Sequence, residues 1–250
     1  MSYLFTLNSN LSDPLRSHLI RVYALLTVGV VTAALGCYAD MHYLHYGSVT
    51  TALIGAFLFG LARSGVTATP KENSVGIALF LLACGIEGMS LSPIIHTAYH
   101  YYPQALMTAL LSSLAVFASF SAAALIAKRR EFFYLAGILG TVVSVLSLVS
   151  FTNIFLRSGA LLDIQIYGGL AMFVAYILLD TQVMIERFEN GSHYARTNFV
   201  RPACDLFGDL VGVFIRLLII LMKKAERRGQ QSRRPSFNAS SDRRYYKRAE

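Results

Sequence analysis

The sequence predicts an all-α fold, a polytopic transmembrane bundle of about seven hydrophobic helices. Two features of the composition predict it: 55% of the 250 residues are hydrophobic and only 14% are charged. Soluble domains carry about 25% charged residues, so this chain has too few polar side chains to cover a globule in water. The third observation is that long apolar segments follow one another with short polar breaks. We therefore expect the chain to fold in lipid.

Several apolar segments approach the length of about 20 residues that a helix needs to cross a bilayer. Short connections between them, such as Tyr99–Pro103, force consecutive helices to pack as antiparallel neighbours. We expect three regions: a cytosolic tail over 1–18, the helix bundle over 19–222, and a basic, disordered cytosolic tail over 223–250. The predicted spans are Leu19–Ala39, Val49–Ala62, Val75–Ala98, Ala105–Ala127, Phe132–Leu156, Ile164–Ile185 and Cys204–Met222.

Basic residues precede the first predicted span and follow every second one. Lys and Arg accumulate in cytoplasmic loops, so this alternation places the amino terminus in the cytosol. Seven full spans would put the carboxyl terminus outside, although the chain after Met222 is strongly basic. Either the last segment is re-entrant, or one other segment does not span, or the charge rule is overruled; we favour a cytosolic tail. The basic residues that set the orientation are Arg16, Arg21, Arg63, Lys71, Lys128, Arg129, Arg130, Arg187, Arg196 and Arg201.

The composition argues against several other classes of protein. A net charge of +8 is typical of nucleic-acid binders, but here the basic residues flank apolar runs instead of forming one folded face, so no nucleic-acid partner is expected. Cys37, Cys84 and Cys204 lack the spacing of a disulfide framework or a zinc site. Buried thiols are the simpler interpretation, and no cofactor is expected.

Ionisable residues within spans are costly in lipid and are candidates for function. Asp180 lies five residues before Ile185, the end of the sixth span, and Asp209 lies five residues after Cys204, the start of the seventh. Their depths on adjacent helices therefore match. Two carboxylates that meet there can share a proton, because like charges at close range cannot both ionise cheaply. Such a pair would be a pH-sensitive latch and a candidate cation site.

A structural interpretation of the same residues is equally open. Each aspartate could cap a helix or pair with Arg63 or Arg216. By their spacing Asp205, Asp209 and Arg216 share one face of the seventh segment, and a helix that polar should be surrounded by the other helices. Glu87, in the middle of the third span, is either a carboxylate on an ion path or hydrogen-bonded to a neighbouring helix.

The seventh segment continues into a basic stretch that also has two interpretations. It is typical of the flank that follows a spanning helix. It is equally typical of a basic amphipathic helix that binds calmodulin or anionic lipid. The residues that would make this contact are Lys223, Lys224, Arg227 and Arg228.

Five groups of residues, taken in their order and spacing, match a known pattern. Together they resemble the Bax inhibitor family of membrane proteins (the transmembrane Bax inhibitor motif family), and most closely its plant-like members. The likeness covers nearly all of the hydrophobic portion. The groups are Arg21-Val22-Tyr23, Glu87-Gly88 with Pro93, Lys128-Arg129-Arg130-Glu131, Asp180-Thr181-Gln182 followed by Ile185-Glu186, and the Asp209 segment running into Val213-Phe214.

The resemblance implies an endoplasmic-reticulum membrane protein that suppresses programmed cell death and lowers the calcium content of the store. Bacterial relatives are described as pH-sensitive calcium leaks with a central helix wrapped by the others. In them two aspartates on the last two helices sense pH, and these match Asp180 and Asp209. The basic tail of plant-like members, which matches Lys223 onward, is associated with calmodulin. Asp205 is an extra acid that many relatives lack, and Arg63 is the candidate for the basic latch partner of the family.

We therefore predict a pH-sensitive calcium leak of the endoplasmic-reticulum membrane with cell-death suppression as its outcome. The alternative is a membrane adaptor without ion flux, which acts through calmodulin and other membrane proteins of cell-death control. Catalysis is not expected. Intramembrane proteases place their aspartates in Tyr-Asp and Gly-x-Gly-Asp contexts, whereas Asp180 follows Leu179 and Asp209 follows Phe207-Gly208.

Overall fold

The chain forms a bundle of long helices, which confirms the predicted all-α fold. The computed structural model describes residues 13–46, 49–64, 70–127, 133–192 and 196–233, and these ranges contain no strand. Outside them lie most of the predicted amino-terminal tail, the loop with Lys128, Arg129 and Arg130, and residues 234–250 of the predicted carboxyl-terminal tail. The helices are α1 (Asp13–Ala39), α2 (Val49–Arg63), α3 (Pro70–Tyr101), α4 (Pro103–Ile126), α5 (Phe133–Leu156), α6 (Gly159–Asn190) and α7 (Val200–Arg233).

Most of these helices are long and apolar enough to cross a membrane. Within the described ranges this holds for α1, α3, α4, α5 and α6, while α2 is apolar but has only 15 residues. Helix α7 has 34 residues but carries Asp205, Asp209 and Arg216 within its apolar part. Such a helix needs protein instead of lipid around it.

Helix α7 has that protein environment, because it lies in the centre of the bundle. It packs against α1, α2, α3, α4 and α6. The side chains of Leu206, Val213 and Leu218 are completely buried in these contacts. The predicted central position of the carboxyl-terminal helix is thereby confirmed. Helix α5 is the opposite case: it packs mainly on α6 and exposes most of its apolar side chains, as a helix on the lipid-facing side does.

Helices α1 and α3 approach each other so closely that glycine is required at their contact. A Cβ atom at Gly36 would collide with the carbonyl oxygen of Gly85, and one at Gly88 would collide with the carbonyl oxygen of Ala33. Small residues allow backbones to approach in this way in lipid, where packing drives the association of helices. This contact fixes α1 against α3 independently of the acidic residues.

A buried aspartate at the end of α1 ties the following connection to α3. The last turn, Asp40–Leu44, is a π-helical turn, and His45 after it has a left-handed backbone with φ 55°. The carboxyl group of Asp40, which is only 2% exposed, accepts hydrogen bonds from the backbone N–H of Tyr46 (2.7 Å) and from the hydroxyl of Ser92. Sequence analysis did not single out Asp40.

The two ends of the described chain lie at opposite ends of the bundle. The ring of His18, in the first turns of α1, packs against the ring of Phe188 near the end of α6. This end is called the N-terminal end of the bundle. Lys223 forms an ion pair of 2.8 Å with Asp163 at the start of α6, which defines the C-terminal end. Helix α7 therefore runs the full length of α6. The cytosolic side expected for both tails stays a prediction.

Part of the predicted disordered tail is helical. Residues 223–233 continue α7 without a break. This stretch is rich in Lys, Ala, Glu, Arg and Gln, which are good helix formers, and the side chain of Gln230 bonds to Glu226 one turn before it. The bundle helix therefore projects its basic end beyond the ion pair of Lys223.

Candidate functional site

The structure brings the two predicted aspartates together at the contact between α6 and α7. The side chains of Asp180 and Asp209 lie close enough to interact directly. A carboxylate can only accept, so a bond between two carboxyl groups requires that one of them carries a proton. Asp209 is 5% exposed, and its buried Oδ2 accepts no hydrogen bond from a donor group of the described residues. The pair therefore has the geometry of a shared proton, while its role as a pH sensor stays a prediction.

The register of α6 and α7 explains why the pair meets. Phe173 lies seven residues before Asp180, and Arg216 lies seven residues after Asp209. In an antiparallel pair these positions face each other again, and the guanidinium of Arg216 lies 4.3 Å from the centre of the Phe173 ring. The Asp163–Lys223 ion pair continues the same alignment to the C-terminal end of the bundle.

Arg216 is therefore held two turns away from the acidic pair. It donates a hydrogen bond to the carbonyl of Gly212 (3.0 Å) and packs over Phe173. It also fills the space that Gly169 leaves open, because a Cβ there would collide with the guanidinium. Pairing of Arg216 with Asp209, which the shared helix face had suggested, is not the arrangement found.

Asp205, one turn before Asp209, has its own basic partners. Its carboxylate lies 3.0 Å from Nε of Arg63 at the end of α2 and 4.0 Å from a guanidinium nitrogen of Arg187 near the end of α6. Arg63 thus pairs with the extra acid and not with the aspartate pair. Arg63 is 55% exposed, so this contact is screened by solvent and contributes little to stability by itself. The contact does join the ends of α2 and α6 to the first turns of α7, next to Asp180 and Asp209.

A small polar cavity opens next to these groups at the N-terminal end of the bundle. Its volume is about 200 Å³. Sequence analysis used Arg187 and Arg201 only to set the orientation and did not consider His18 or Asn198. These residues converge only in the folded chain, so spacing gave no signal for them. The lining residues are His18, Asp180, Val183, Met184, Arg187, Asn198, Arg201, Pro202 and Asp205.

Apolar side chains close the bundle beyond this cavity. Along α7 the residues that line the polar cavity end at Asp205, and Phe207 packs in an aromatic cluster. The Phe207 ring stacks on Phe59 at 5.3 Å and meets Phe80 edge-on at 6.0 Å. Phe80 and Phe207 belong to the main hydrophobic core, and Phe59 packs against it. The polar cavity is therefore followed along α7 by a packed aromatic cluster.

Glu87 lies at a different helix contact. Its carboxyl group faces Gly55 of α2, where a Cβ would lie 2.6 Å from Oε2. This Oε2 is buried and has no hydrogen-bond partner among the described residues. The structure therefore places Glu87 between α2 and α3, and not with Asp180 and Asp209.

The segment Asp180-Thr181-Gln182 also holds α4 in place. The side-chain amide of Gln182, which is buried, donates hydrogen bonds to the carbonyl oxygens of Ala124 and Ala127. The last carbonyls of a helix lack partners within the helix, so Gln182 caps α4 from α6. Gln182 belongs to a motif that resembles the family, but its capping role was not among the predictions.

The basic end of α7 divides into one paired and several outward-facing residues. Lys223 is held by Asp163, whereas Lys224, Arg227 and Arg228 are exposed on the helical extension. Of the four residues predicted to contact calmodulin or lipid, the last three are on the surface.

Metal binding by the aspartate pair stays a prediction. No group of three or more His, Cys, Asp or Glu side chains in the described ranges is arranged to hold a metal ion. Calcium takes six to eight oxygen ligands in proteins, so two carboxyl groups would supply only part of its coordination shell. Cys37, Cys84 and Cys204 are free and buried, as expected.

Fold and site together define the class of this protein: a multi-pass membrane protein whose polar central helix is paired through carboxyl groups with its neighbour. A profile of the family described as "Inhibitor of apoptosis-promoting Bax1" matches residues 15–226. The chain belongs to this family, which confirms the resemblance found in the sequence.

Individual relatives cover most of the chain. Bax inhibitor 1 of Arabidopsis thaliana is 34% identical over 86% of this chain and 84% of its own length. Bax inhibitor 1 of Oryza sativa subsp. japonica is 33% identical over 90% of this chain and 87% of its own length. Bax inhibitor 1 of Homo sapiens is 30% identical over 85% of this chain and 88% of its own length. The similarity to the two plant proteins is in line with the plant-like features of the sequence.

Proposed function

We propose that this protein suppresses programmed cell death in the endoplasmic-reticulum membrane and acts there as a pH-sensitive calcium leak. The observation that carries the proposal is the direct approach of the Asp180 and Asp209 side chains at the contact between α6 and α7. The names of the relatives, Bax inhibitor 1, support the cell-death role. The location in the endoplasmic reticulum rests on the family resemblance.

The shared proton supplies the gate. While it is present, the Asp180–Asp209 hydrogen bond holds α6 against α7. When the pH rises and the proton leaves, two carboxylates face each other with little solvent between them and repel. The contact loosens, so the leak is low in acid and rises with pH. A local change of charge that biases a two-state packing contact is a general form of switch.

The polar cavity beside the pair supplies the opening for the ion. Asp180 and Asp205 line it, and oxygen ligands are those that calcium prefers. Once the pair has lost its proton, it adds negative charge behind this opening. Passage then requires that Phe207 leaves its aromatic partners, which a loosened α7 permits. Glu87 is the candidate for an oxygen ligand further along the path, since its buried Oε2 has no partner among the described residues.

The first test is calcium efflux from liposomes that contain the purified full chain, measured across pH. We expect efflux to rise with pH, by up to about tenfold per pH unit where a single proton controls the gate. Asp209→Asn should give low efflux at every pH, because the amide keeps a hydrogen-bond donor facing Asp180 that no pH change removes. Asp163→Asn, the same substitution at a partly exposed site, is the matched control and should keep the wild-type profile. An unchanged profile in Asp209→Asn contradicts the gate, and a wild type without efflux contradicts the leak.

A second candidate function is a membrane adaptor without ion flux. The observation that favours it is the exposed basic extension of α7 with Lys224, Arg227 and Arg228. A basic amphipathic helix suits calmodulin or anionic lipid, and other membrane proteins of cell-death control would be further partners. Neither function requires catalysis or a cofactor, and we propose none.

Replacing Lys224, Arg227 and Arg228 by glutamine together separates the two functions. Lys223 is left in place so that its ion pair with Asp163 is retained. If the protein acts as a leak, efflux and cell survival should both stay near the wild-type level. Loss of protection with unchanged efflux supports the adaptor instead. Efflux from liposomes and survival of cells that express the variant are the two measurements.

A further inference from the structure

A large apolar cavity lies between four helices towards the C-terminal end of the bundle. Its volume is about 650 Å³, and its walls come from α1, α3, α4 and α7. Deep residues such as Val30, Leu91 and Phe207 are aliphatic or aromatic, and Ser113 is the polar exception among them. The volume falls in the range of about 300–1,000 Å³ that is typical of sites for a single small ligand.

This cavity is unfavourable both when it is filled with water and when it is empty. Water needs two to four polar partners to enter a cavity, and apolar cavities stay dry and take up apolar ligands. An empty space of this size would forfeit the dispersion contacts of every side chain that lines it. An apolar molecule is therefore the favoured content.

The cavity has a side opening that faces the lipid-exposed surface of the bundle. Leu110 and Leu114 of α4 line it and are also exposed on the outside. Ala34 of α1 is on the opposite rim and is likewise exposed. A flexible chain that lies in the bilayer can therefore enter between α1 and α4 without passing through water.

The rim of the cavity formed by the turn after α1 and the last turns of α3 carries hydrogen-bond donors. The rings of His96 and His100 lie 4.4 Å apart, and the ring of His42 lies 4.4 Å from that of Tyr38. An imidazole has at least one N–H donor in either charge state. None of the described residues that line the cavity is acidic. This rim therefore complements an anionic head group and offers no carboxylate to an amine.

We infer that the cavity binds one long-chain fatty acid, with its hydrocarbon chain among α1, α3, α4 and α7 and its carboxylate against the imidazoles of His42, His96 and His100. The bound chain packs on Phe207, Leu210 and Phe214 of α7, which lie on both sides of Asp209 along the same helix. This inference concerns a site separate from the aspartate pair and holds whether or not the protein conducts calcium.

The test uses a photoactivatable palmitic acid with a diazirine in its chain, added to the full-length protein in phosphatidylcholine liposomes. Peptide mapping should find the label within residues 30–42, 88–114 and 207–214. Unlabelled palmitate should compete, and the alcohol and amine of the same chain should compete about tenfold less well, because they lack the charged hydrogen-bond acceptor. Label outside these segments, or equal competition by all three head groups, overturns the inference.

Two variants and one competitor complete the test. Ala34→Phe blocks the side opening between α1 and α4 and should abolish the mapped label, whereas Ala136→Phe on the exposed face of α5 should leave it unchanged. His96→Ala with His100→Ala should remove the preference for the acid over the alcohol while the label at α7 persists. If phosphatidylserine displaces the probe better than palmitate does, the occupant is a phospholipid chain and the inference is wrong.

Discussion

Gly88→Ala is expected to prevent the bundle from folding, although it adds one methyl group. The Cβ atom at this position would collide with the carbonyl oxygen of Ala33, which belongs to the α1 backbone and cannot change rotamer. The helices must move apart, and their shared contacts are then lost along the whole interface. Overpacking costs about 1–3 kcal/mol where side chains adjust and more where they cannot. The measurement is the yield of monodisperse protein in detergent and its thermal unfolding midpoint.

Gly137→Ala is the matched control, because a Cβ at Gly137 meets nothing within 4 Å. In a helix interior alanine is favoured over glycine by about 0.8–1 kcal/mol, so this variant should be at least as stable as the wild type. If Gly88→Ala and Gly137→Ala unfold at the same temperature, the close α1–α3 contact does not exist in the membrane.

Hydropathy predicted the helices well and their ends poorly. It marks the part of a helix that fits lipid, so the sixth span was expected to end at Ile185. Helix α6 continues to Asn190, since no breaker occurs before Gly191. Helix α7 likewise continues past Met222 to Arg233, because most of the residues around Gly229 are good helix formers. A charged stretch ends the apolar pattern of a span, but it does not end the helix.

The aspartate pair was predictable because adjacency and depth follow from the chain alone. The partners of Asp205 were not predictable in the same way. Arg63 and Arg187 come from two other helices, and their approach depends on how α2 and α6 pack around α7. Arg216 shares a helix face with Asp209, but a separation of seven residues is about 10.5 Å along the axis. Arg216 and Asp209 therefore share a helix face, but they are too far apart to pair with each other.

Asp40→Ala is expected to destabilise the C-terminal end of the bundle strongly. Its carboxyl group is nearly completely buried and accepts from the hydroxyl of Ser92 on α3 and the backbone N–H of Tyr46. Each buried donor left without a partner costs about 1–3 kcal/mol, and the residual cavity adds to this. Hydrogen exchange of the amides around Tyr46, together with the unfolding midpoint, measures the effect.

Asp163→Ala tests whether burial, and not the mere loss of a carboxylate, causes that effect. Asp163 has one ion pair, with Lys223, and both side chains are partly exposed, so its removal should change the unfolding midpoint little. Asp40→Asn should fall between the two, because the amide oxygen still accepts one of the two hydrogen bonds. Equal midpoints for Asp40→Ala and Asp163→Ala would mean that the connection after α1 is not anchored to Ser92. In that case the His42 rim of the apolar cavity would also lack its support, since His42 lies within the π-helical turn that Asp40 begins.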